Sequence, residues 1–181
     1  RRYCTHLASH YKGVIKHYEI WNEYNIIYAN PTHRLPETYG AMVKVAYEAI
    51  KAVDPEALVV GIDMCGIHFE WMRRETGALS SMDAVSFHPY CSYPSPAFPD
   101  DGWGQMRRNI EEVRDLPIRY GDEKPVWITE MGWASYRDPG GVTREGQAAD
   151  AVRMFALGMA GRPGDHVIWY DFINDEFDKY E

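Results

Sequence analysis

Helical and strand-like patterns alternate along the whole chain, and this alternation constrains the fold more than any other feature. Five short apolar runs of strand length are separated by stretches in which apolar residues recur at helical spacing. Strict alternation of this kind is typical of right-handed crossovers and a parallel sheet. The sequence therefore predicts an α/β fold with five parallel strands. No linker or low-complexity tract interrupts it, so residues 1–181 are predicted to form a single domain.

The individual elements follow from the apolar spacing. We predict strands over residues 17–21, 58–62, 84–87, 126–129 and 166–170. The intervening patterns predict helices over residues 3–16, 37–53, 69–79, 104–116 and 144–160. The run 58–62 is apolar throughout, as expected for a parallel strand that is buried on both faces. Three prolines and a glycine within residues 91–103 predict a loop there.

Composition excludes several classes of function. The chain has 45% hydrophobic residues and a formal net charge of −8. The apolar content is sufficient for a buried core, which excludes disorder as the main state. The acidic balance argues against nucleic acid as a partner, because phosphate binding needs clustered Lys and Arg. No apolar run approaches the roughly 18–20 residues that a membrane helix requires, so we expect no membrane partner.

Known cofactor and metal motifs are missing from the sequence. It contains no phosphate-binding glycine loop, so we expect no nucleotide cofactor. His6 and His10 lie four residues apart but lack the acidic partner of a metalloprotease motif, so we expect no metal. The remaining candidates, Cys4, Cys65 and Cys91, show neither metal-binding nor redox spacing. Free thiols are the simpler interpretation of these cysteines, one disulfide is the alternative, and the cellular compartment stays open.

Polar side chains stand where the predicted strands end. Glu23 follows the first strand, His88 and Tyr90 follow the third, and Glu130 directly follows the fourth. In parallel α/β folds, ligands bind at the carboxyl ends of the strands. A buried carboxylate is costly unless it is paired or solvated, and a solvated strand end is the structural alternative for both glutamates. Two carboxyl groups that face one cleft are, however, what cleavage of a glycosidic bond requires.

Aromatic side chains cluster at the same strand ends. Trp21, Tyr90, Trp133 and Trp169 lie close in sequence to the two glutamates or to the end of the last strand. Aromatic rings suit a carbohydrate cleft, because the faces of sugars present C–H groups that pack on them. Trp21 and Trp133 are equally well explained by packing in the core, whereas a substrate contact explains Trp169 better.

Four of these segments together resemble motifs of the clan A retaining glycoside hydrolases, with family 39 nearest and family 5 second. Residues 19–23 (Glu-Ile-Trp-Asn-Glu) resemble the fourth strand of that fold, and residues 86–90 (Ser-Phe-His-Pro-Tyr) resemble the sixth. Residues 127–133 resemble the seventh strand and residues 169–175 the eighth. One departure is Tyr24, where the family usually has proline.

The resemblance implies a partial TIM (β/α)8 barrel. The complete family fold has about 250 residues or more. This chain would hold strands four to eight, as one catalytic domain over residues 1–181 whose first three strands are missing.

The same resemblance implies a role for each residue of the site. Glu23 would be the general acid/base and Glu130 the nucleophile. The substrate-binding residues would be Asn22, His88, Tyr90, Trp133 and Trp169. Within that set, Asn22 would bind the sugar 2-hydroxyl, Tyr90 would hydrogen-bond Glu130, and His88 would line the sugar site. Trp169 would form the floor beneath the sugar.

The implied reaction is hydrolysis of β-glycosidic bonds in oligo- or polysaccharides by a retaining double displacement through a covalent glycosyl-enzyme. It needs no cofactor, and its partner is the carbohydrate substrate. The alternative is a non-catalytic carbohydrate-binding or scaffold protein built on a partial barrel. Five parallel strands cannot close a barrel, and this keeps the alternative open.

Overall fold

The computed structural model describes residues 1–32, 34–66, 76–90, 101–135 and 141–171. Helices and strands alternate through these residues. In chain order they are α1 (Arg2–His10), β1 (His17–Glu19), α2 (Pro36–Val53), β2 (Leu58–Cys65), a 3-10 helix (Thr76–Ser81), β3 (Ala84–His88), α3 (Asp101–Arg119), β4 (Val126–Ile128), α4 (Arg144–Met159) and β5 (His166–Val167).

The five strands form one parallel sheet in the order β1-β2-β3-β4-β5. The sheet curls into a half-barrel with helices on its outer side. This confirms the prediction of a partial (β/α) barrel with five parallel strands. Because all strands run the same way, their carboxyl ends meet along one rim.

The main core lies between the sheet and helices α2, α3 and α4. All five residues of β3 and six of the eight residues of β2 are buried, as expected for parallel strands covered on both faces. The largest fully buried side chains are Tyr39, Phe87, Ile50, Ile62, Met64, Met82, Met106, Ile110, Ile128, Met131 and Met154. Removal of their apolar surface from water stabilises the sheet by about 25 cal/mol per Å².

Several element boundaries differ from the prediction. Helix α1 ends at His10, before the predicted end at residue 16, and α3 begins at Asp101, so the predicted loop is wrong over residues 101–103. A glycine in a helix costs about 1 kcal/mol, and the burial of Met106 and Ile110 in α3 outweighs that cost. The described end of the predicted helix 69–79 is a 3-10 helix, and β5 covers only two residues of its predicted run.

Some predictions fall outside the described residues. These are the loop over 91–100, the start of the helix at 69–75, and the end of the last motif at 172–175. Cys91 also lies there, whereas Cys4 and Cys65 are both free thiols. Among the helices that the structure describes, none is both long and apolar enough to cross a membrane.

Candidate active site

Glu23 lies in a tight turn that follows β1. Trp21 and Glu23 both adopt positive φ angles, of 75° and 46°, which side chains other than glycine rarely adopt. The amide group of Asn25 holds this turn to the end of β2: it donates to the carbonyl of Cys65 at 2.9 Å and accepts the N–H of the same residue at 3.0 Å. Tyr24 is 6% exposed. It therefore anchors the turn in the core, at the position where the glycoside hydrolases that the motifs resemble usually have proline.

A β-bulge in β2 places Asp63 beside Glu23. Gly61 pairs with Val85 and Met64 pairs with Phe87, so β2 carries one more residue than β3 over this stretch. Ile62 and Asp63 take up the extra length with φ angles of 80° and 44°. A bulge of this kind re-aims a side chain. Here it directs Asp63 to the backbone N–H of Glu23, which Asp63 Oδ2 accepts at 3.2 Å.

Ser86 on β3 braces the bulge from below. Its hydroxyl accepts the backbone N–H of Asp63 and donates to the carbonyl of Gly61, each at 3.2 Å. Asp63 itself is 1% exposed. Burial raises the pKa of its carboxyl group, and its contacts with His88 and with the backbone of Glu23 oppose that rise.

His88 ends β3 and lies among three carboxylates. Its Nδ1 is 2.8 Å from Glu23 Oε1 and 3.7 Å from Glu130 Oε2, and its Nε2 is 3.0 Å from Asp63 Oδ1. The residue is 1% exposed. Burial alone would lower the pKa of the imidazole, but Asp63, Glu23 and Glu130 together raise it to about 9. His88 is therefore an imidazolium at neutral pH, held beneath the two glutamates.

Glu130 follows β4 and faces the same rim. Tyr90 donates its hydroxyl to Glu130 Oε1 at 2.7 Å. Burial raises the pKa of Tyr90, and so does this hydrogen bond, so Tyr90 stays a neutral donor. One carboxylate oxygen from each of Glu23 and Glu130 and a ring nitrogen of His88 all lie within 4.8 Å of one another. The two predicted catalytic carboxyl groups therefore meet at one point of the rim.

The other predicted substrate-binding residues lie around this point. Asn22 is exposed and directly precedes Glu23. Trp133 is 5% exposed and belongs to the core, whereas Trp169 is half-buried against it. Their ring centroids are 6.0 Å apart. Trp169 therefore offers more surface to a ligand than Trp133 does, while Trp21 is largely exposed and donates its indole N–H to the carbonyl of Ala29.

Two acidic residues below the rim, Asp63 and Glu19, were not predicted from the sequence as part of the site. Asp63 lies just beyond the end of the predicted strand, inside an otherwise apolar run, and that placement was the available signal. Glu19 on β1 also points into the half-barrel and accepts a hydrogen bond from Thr129 at 2.8 Å. Desolvation and the charge of Asp63 raise the pKa of Glu19. Burial likewise raises the pKa of the nearby Cys65 thiol to about 12.

Within the described part of the chain, two overlapping groups have the donor types of a divalent metal site: Glu19, Asp63 and His88, and Glu23, His88 and Glu130. His88 belongs to both groups, and its two nitrogens already lie 2.8 and 3.0 Å from carboxylate oxygens. Nitrogen and oxygen ligands of one tetrahedral zinc ion are about 3.3 Å apart. The observed spacings are shorter and fit direct ion pairs better than shared metal coordination.

Comparisons with known proteins show which solved structures this chain resembles. No family model and no curated protein sequence matches the chain. Among solved structures, it is similar to a family 39 glycoside hydrolase from the gut symbiont Bacteroides cellulosilyticus WH2, with 24% identity over 93% of this chain and 36% of that chain and a TM-score of 0.63. It is also similar to a glucosidase from Croceicoccus marinus, with 16% identity over 92% of this chain and 36% of that chain and a TM-score of 0.64.

A third similar structure is a β-glucuronidase from Faecalibacterium prausnitzii, with 18% identity over 94% of this chain and 27% of that chain and a TM-score of 0.61. Nearly all of this chain is thus matched each time, while it spans about a third of the length of the structures it matches. At these identities the likeness concerns the fold. The chain therefore shares its fold with part of several glycoside hydrolases, as the sequence motifs predicted.

Proposed function

We propose that this chain carries the catalytic carboxylates of a retaining β-glycoside hydrolase that acts on oligo- or polysaccharides. The observation that carries the proposal is the meeting of Glu23 and Glu130, whose nearest oxygens lie within 4.8 Å. Retaining glycosidases place their two carboxyl groups about 5–5.5 Å apart, whereas inverting ones need about 6.5–9.5 Å. The fold shared with glycoside hydrolases supports the same conclusion.

The environments of the two glutamates support different roles. Glu130 is held in place by the Tyr90 hydroxyl, which donates to its Oε1 at 2.7 Å. It would attack the anomeric carbon, form a covalent ester and release the leaving group. Glu23 is more enclosed, with 13% of its side chain exposed against 24% for Glu130. It would protonate the leaving oxygen and then take a proton from the water that cleaves the ester.

The remaining side chains would hold the sugar. Asn22 is exposed beside Glu23, where its amide would reach the 2-hydroxyl. The half-buried Trp169 would form the floor of the subsite, and Trp133 would support it from the core at 6.0 Å. The structural neighbours are named for xylosidase, glucosidase and glucuronidase activities, so we propose β-xylosides, β-glucosides and β-glucuronides as the first substrates to test.

The test is covalent trapping of the nucleophile in the full-length protein. An activated 2-deoxy-2-fluoro glycoside of each candidate sugar should add one fluoroglycosyl group, and peptide mass analysis should place it on Glu130. The Glu130→Gln variant should take up no label. Glu111→Gln is the matched control, because Glu111 is an exposed carboxylate on α3 and its loss should leave labelling unchanged.

The outcomes separate catalysis from binding. A label on Glu130 together with turnover of the parent substrate supports the proposal. Saturable sugar binding without a label and without hydrolysis would instead favour the non-catalytic carbohydrate-binding protein. A label on another carboxylate would retain the enzyme class and overturn the assignment of Glu130.

A further inference from the structure

We propose that Asp63 is a positioning residue for Glu23, which it holds through the backbone of Glu23 and through a charged His88. This inference rests on the proposed function, because Glu23 is the acid/base of that reaction. The β-bulge in β2 is the observation that identifies Asp63 for this role. Asp63 is 1% exposed and lies away from the open rim, so its effect would pass mainly through Glu23 and His88.

The contacts close a ring around Glu23. Asp63 Oδ2 accepts the backbone N–H of Glu23 at 3.2 Å, and Asp63 Oδ1 lies 3.0 Å from His88 Nε2. The opposite nitrogen of the same imidazole, Nδ1, lies 2.8 Å from Glu23 Oε1. Asp63 therefore fixes both ends of one residue, its main chain directly and its carboxylate through His88.

While Glu23 is ionised, the ring requires a protonated imidazole. A neutral imidazole has a single N–H and would turn a lone pair toward one of the two carboxylates. An imidazolium carries an N–H on both nitrogens: Nδ1 is hydrogen-bonded to Glu23 Oε1, and Nε2 forms an ion pair with Asp63 Oδ1 at 3.0 Å. The acidic groups that face the imidazole from neighbouring elements are Asp63 on β2, Glu19 on β1, Glu23 after β1 and Glu130 after β4.

The backbone at Asp63 adopts energetically unfavourable φ angles. Two consecutive residues other than glycine have positive φ angles, and one of them is the β-branched Ile62. Such conformations cost of order 1–3 kcal/mol each and persist where the surroundings impose them. A regular strand would turn Asp63 away from its present direction. The bulge, braced by Ser86, therefore serves to place this carboxylate under Glu23.

The kinetic signature follows from the role of Glu23. Loss of a well-placed general acid slows the release of poor leaving groups, for which acid catalysis supplies about 10²–10⁴-fold. It spares substrates whose leaving group departs without a proton. Asp63→Asn should therefore lower kcat/KM for an unactivated disaccharide by about 10–100-fold and for a dinitrophenyl glycoside by less than about 3-fold. Damage to Glu130 or to the fold would lower both equally.

A second readout does not depend on activity. In nitrogen-15 NMR of the histidine-labelled protein, assigned with a His88→Gln variant, Asp63→Asn should lower the titration midpoint of His88 by about one pH unit or more. Asp83→Asn is the matched control. Asp83 also accepts a backbone N–H, at 2.8 Å, and pairs with Lys51, but it lies at the opposite end of the sheet. It should change neither the leaving-group ratio nor the His88 midpoint.

Each outcome decides the proposal. A lower His88 midpoint with the leaving-group difference supports it. An unchanged midpoint overturns it, and so does a lower midpoint with equal losses on both substrates. If the wild-type protein hydrolyses no glycoside, the proposed function fails, and the titration alone then supports or overturns the hold of Asp63 on His88. If Asp63→Asn does not fold, Ser86→Ala, which loosens the bulge and removes no charge, should give smaller shifts in the same directions.

Discussion

The two ends of the sheet hold their charges in opposite ways. At the amino end of the strands, two carboxylates each have their own cation. Asp83 pairs with Lys51 at 2.9 Å and accepts a backbone N–H at 2.8 Å. Asp165 pairs with Arg114 at 2.9 Å and accepts a backbone N–H at 2.7 Å. Charge and hydrogen-bonding capacity are balanced at this end.

At the carboxyl end, several acidic side chains share one imidazole. His88 contacts Asp63, Glu23 and Glu130, and Glu19 lies within reach of the same group. Among the residues that the structure describes here, negative charge exceeds positive charge, and the backbone adopts strained φ angles. We therefore expect the amino end to serve stability, whereas the carboxyl end keeps an unfavourable arrangement that the proposed reaction would use.

The largest expected effect separates activity from stability at the carboxyl end. Glu130→Gln removes the proposed nucleophile, so kcat/KM should fall by about 10⁴-fold or more. The free energy of unfolding should stay the same or rise, because one carboxylate of the excess is gone. Hydrolysis assays and denaturant unfolding of the same preparation measure both quantities. An active variant would contradict the assignment, and Glu111→Gln should change neither quantity.

At the amino end of the strands we expect the opposite result, a loss of stability without a loss of activity. Asp165→Ala leaves Arg114, which has 12% of its side chain exposed, without its carboxylate. Breaking one partner of a buried pair costs about 3–5 kcal/mol. Unfolding free energy should fall by that amount while activity per folded molecule is kept. Asp115→Ala removes an exposed carboxylate 3.5 Å from Arg162 and should cost less than about 1 kcal/mol. Equal losses in the two variants would refute the comparison.

The titratable groups at the carboxyl end of the strands should determine how the free energy of unfolding depends on pH. The folded pKa of His88 is about 9, above the ordinary value of 6.5. Its contribution to stability is therefore complete below pH 6.5 and is lost as the pH rises through about 9, by on the order of 3 kcal/mol. The pKa values of Asp63 and Glu19 are also raised, so their ionisation lowers stability as the pH rises above about 4, in the same direction as His88.

Unfolding free energies measured between pH 6 and 9.5 check this expectation. The wild-type protein should lose stability steadily across that range. Asp63→Asn should flatten the slope, because His88 then loses one anionic partner. A wild-type slope of zero or of opposite sign would show that the imidazole gains no proton affinity on folding.

The sequence predicted this molecule best where local pattern decides the structure. Alternating apolar periods were enough to predict five parallel strands, and the curled sheet confirms them. Because the carboxyl ends of parallel strands share one rim, it also followed that Glu23, His88, Tyr90 and Glu130 would lie together, and the structure brings them together. Their catalytic roles stay predictions.

The sequence could not show what depends on register between strands. The bulge that aims Asp63 exists only relative to β3, more than twenty residues further along the chain. The predicted strand ended at Ile62, because an aspartate after an apolar run reads as its end. The start of α3 was missed because Gly102 suggests a loop, whereas the burial of Met106 and Ile110 further along favours a helix.

The smallest effects are expected when the phenolic hydroxyl of a tyrosine is removed at two different places in the sheet. Tyr90→Phe removes the hydroxyl that donates to Glu130 at 2.7 Å. Hydrogen bonds to charged groups contribute about 1.5–3 kcal/mol, so kcat should fall by about 10–100-fold with little change in stability. Tyr18→Phe is its counterpart. The Tyr18 hydroxyl is buried without a hydrogen-bond partner among the described residues, so its removal should stabilise the fold by up to about 1 kcal/mol and leave kcat unchanged. If the two variants changed kcat equally, the hydroxyl of Tyr90 would have no specific role at Glu130, and the functional difference between the rim and the rest of the sheet would be lost.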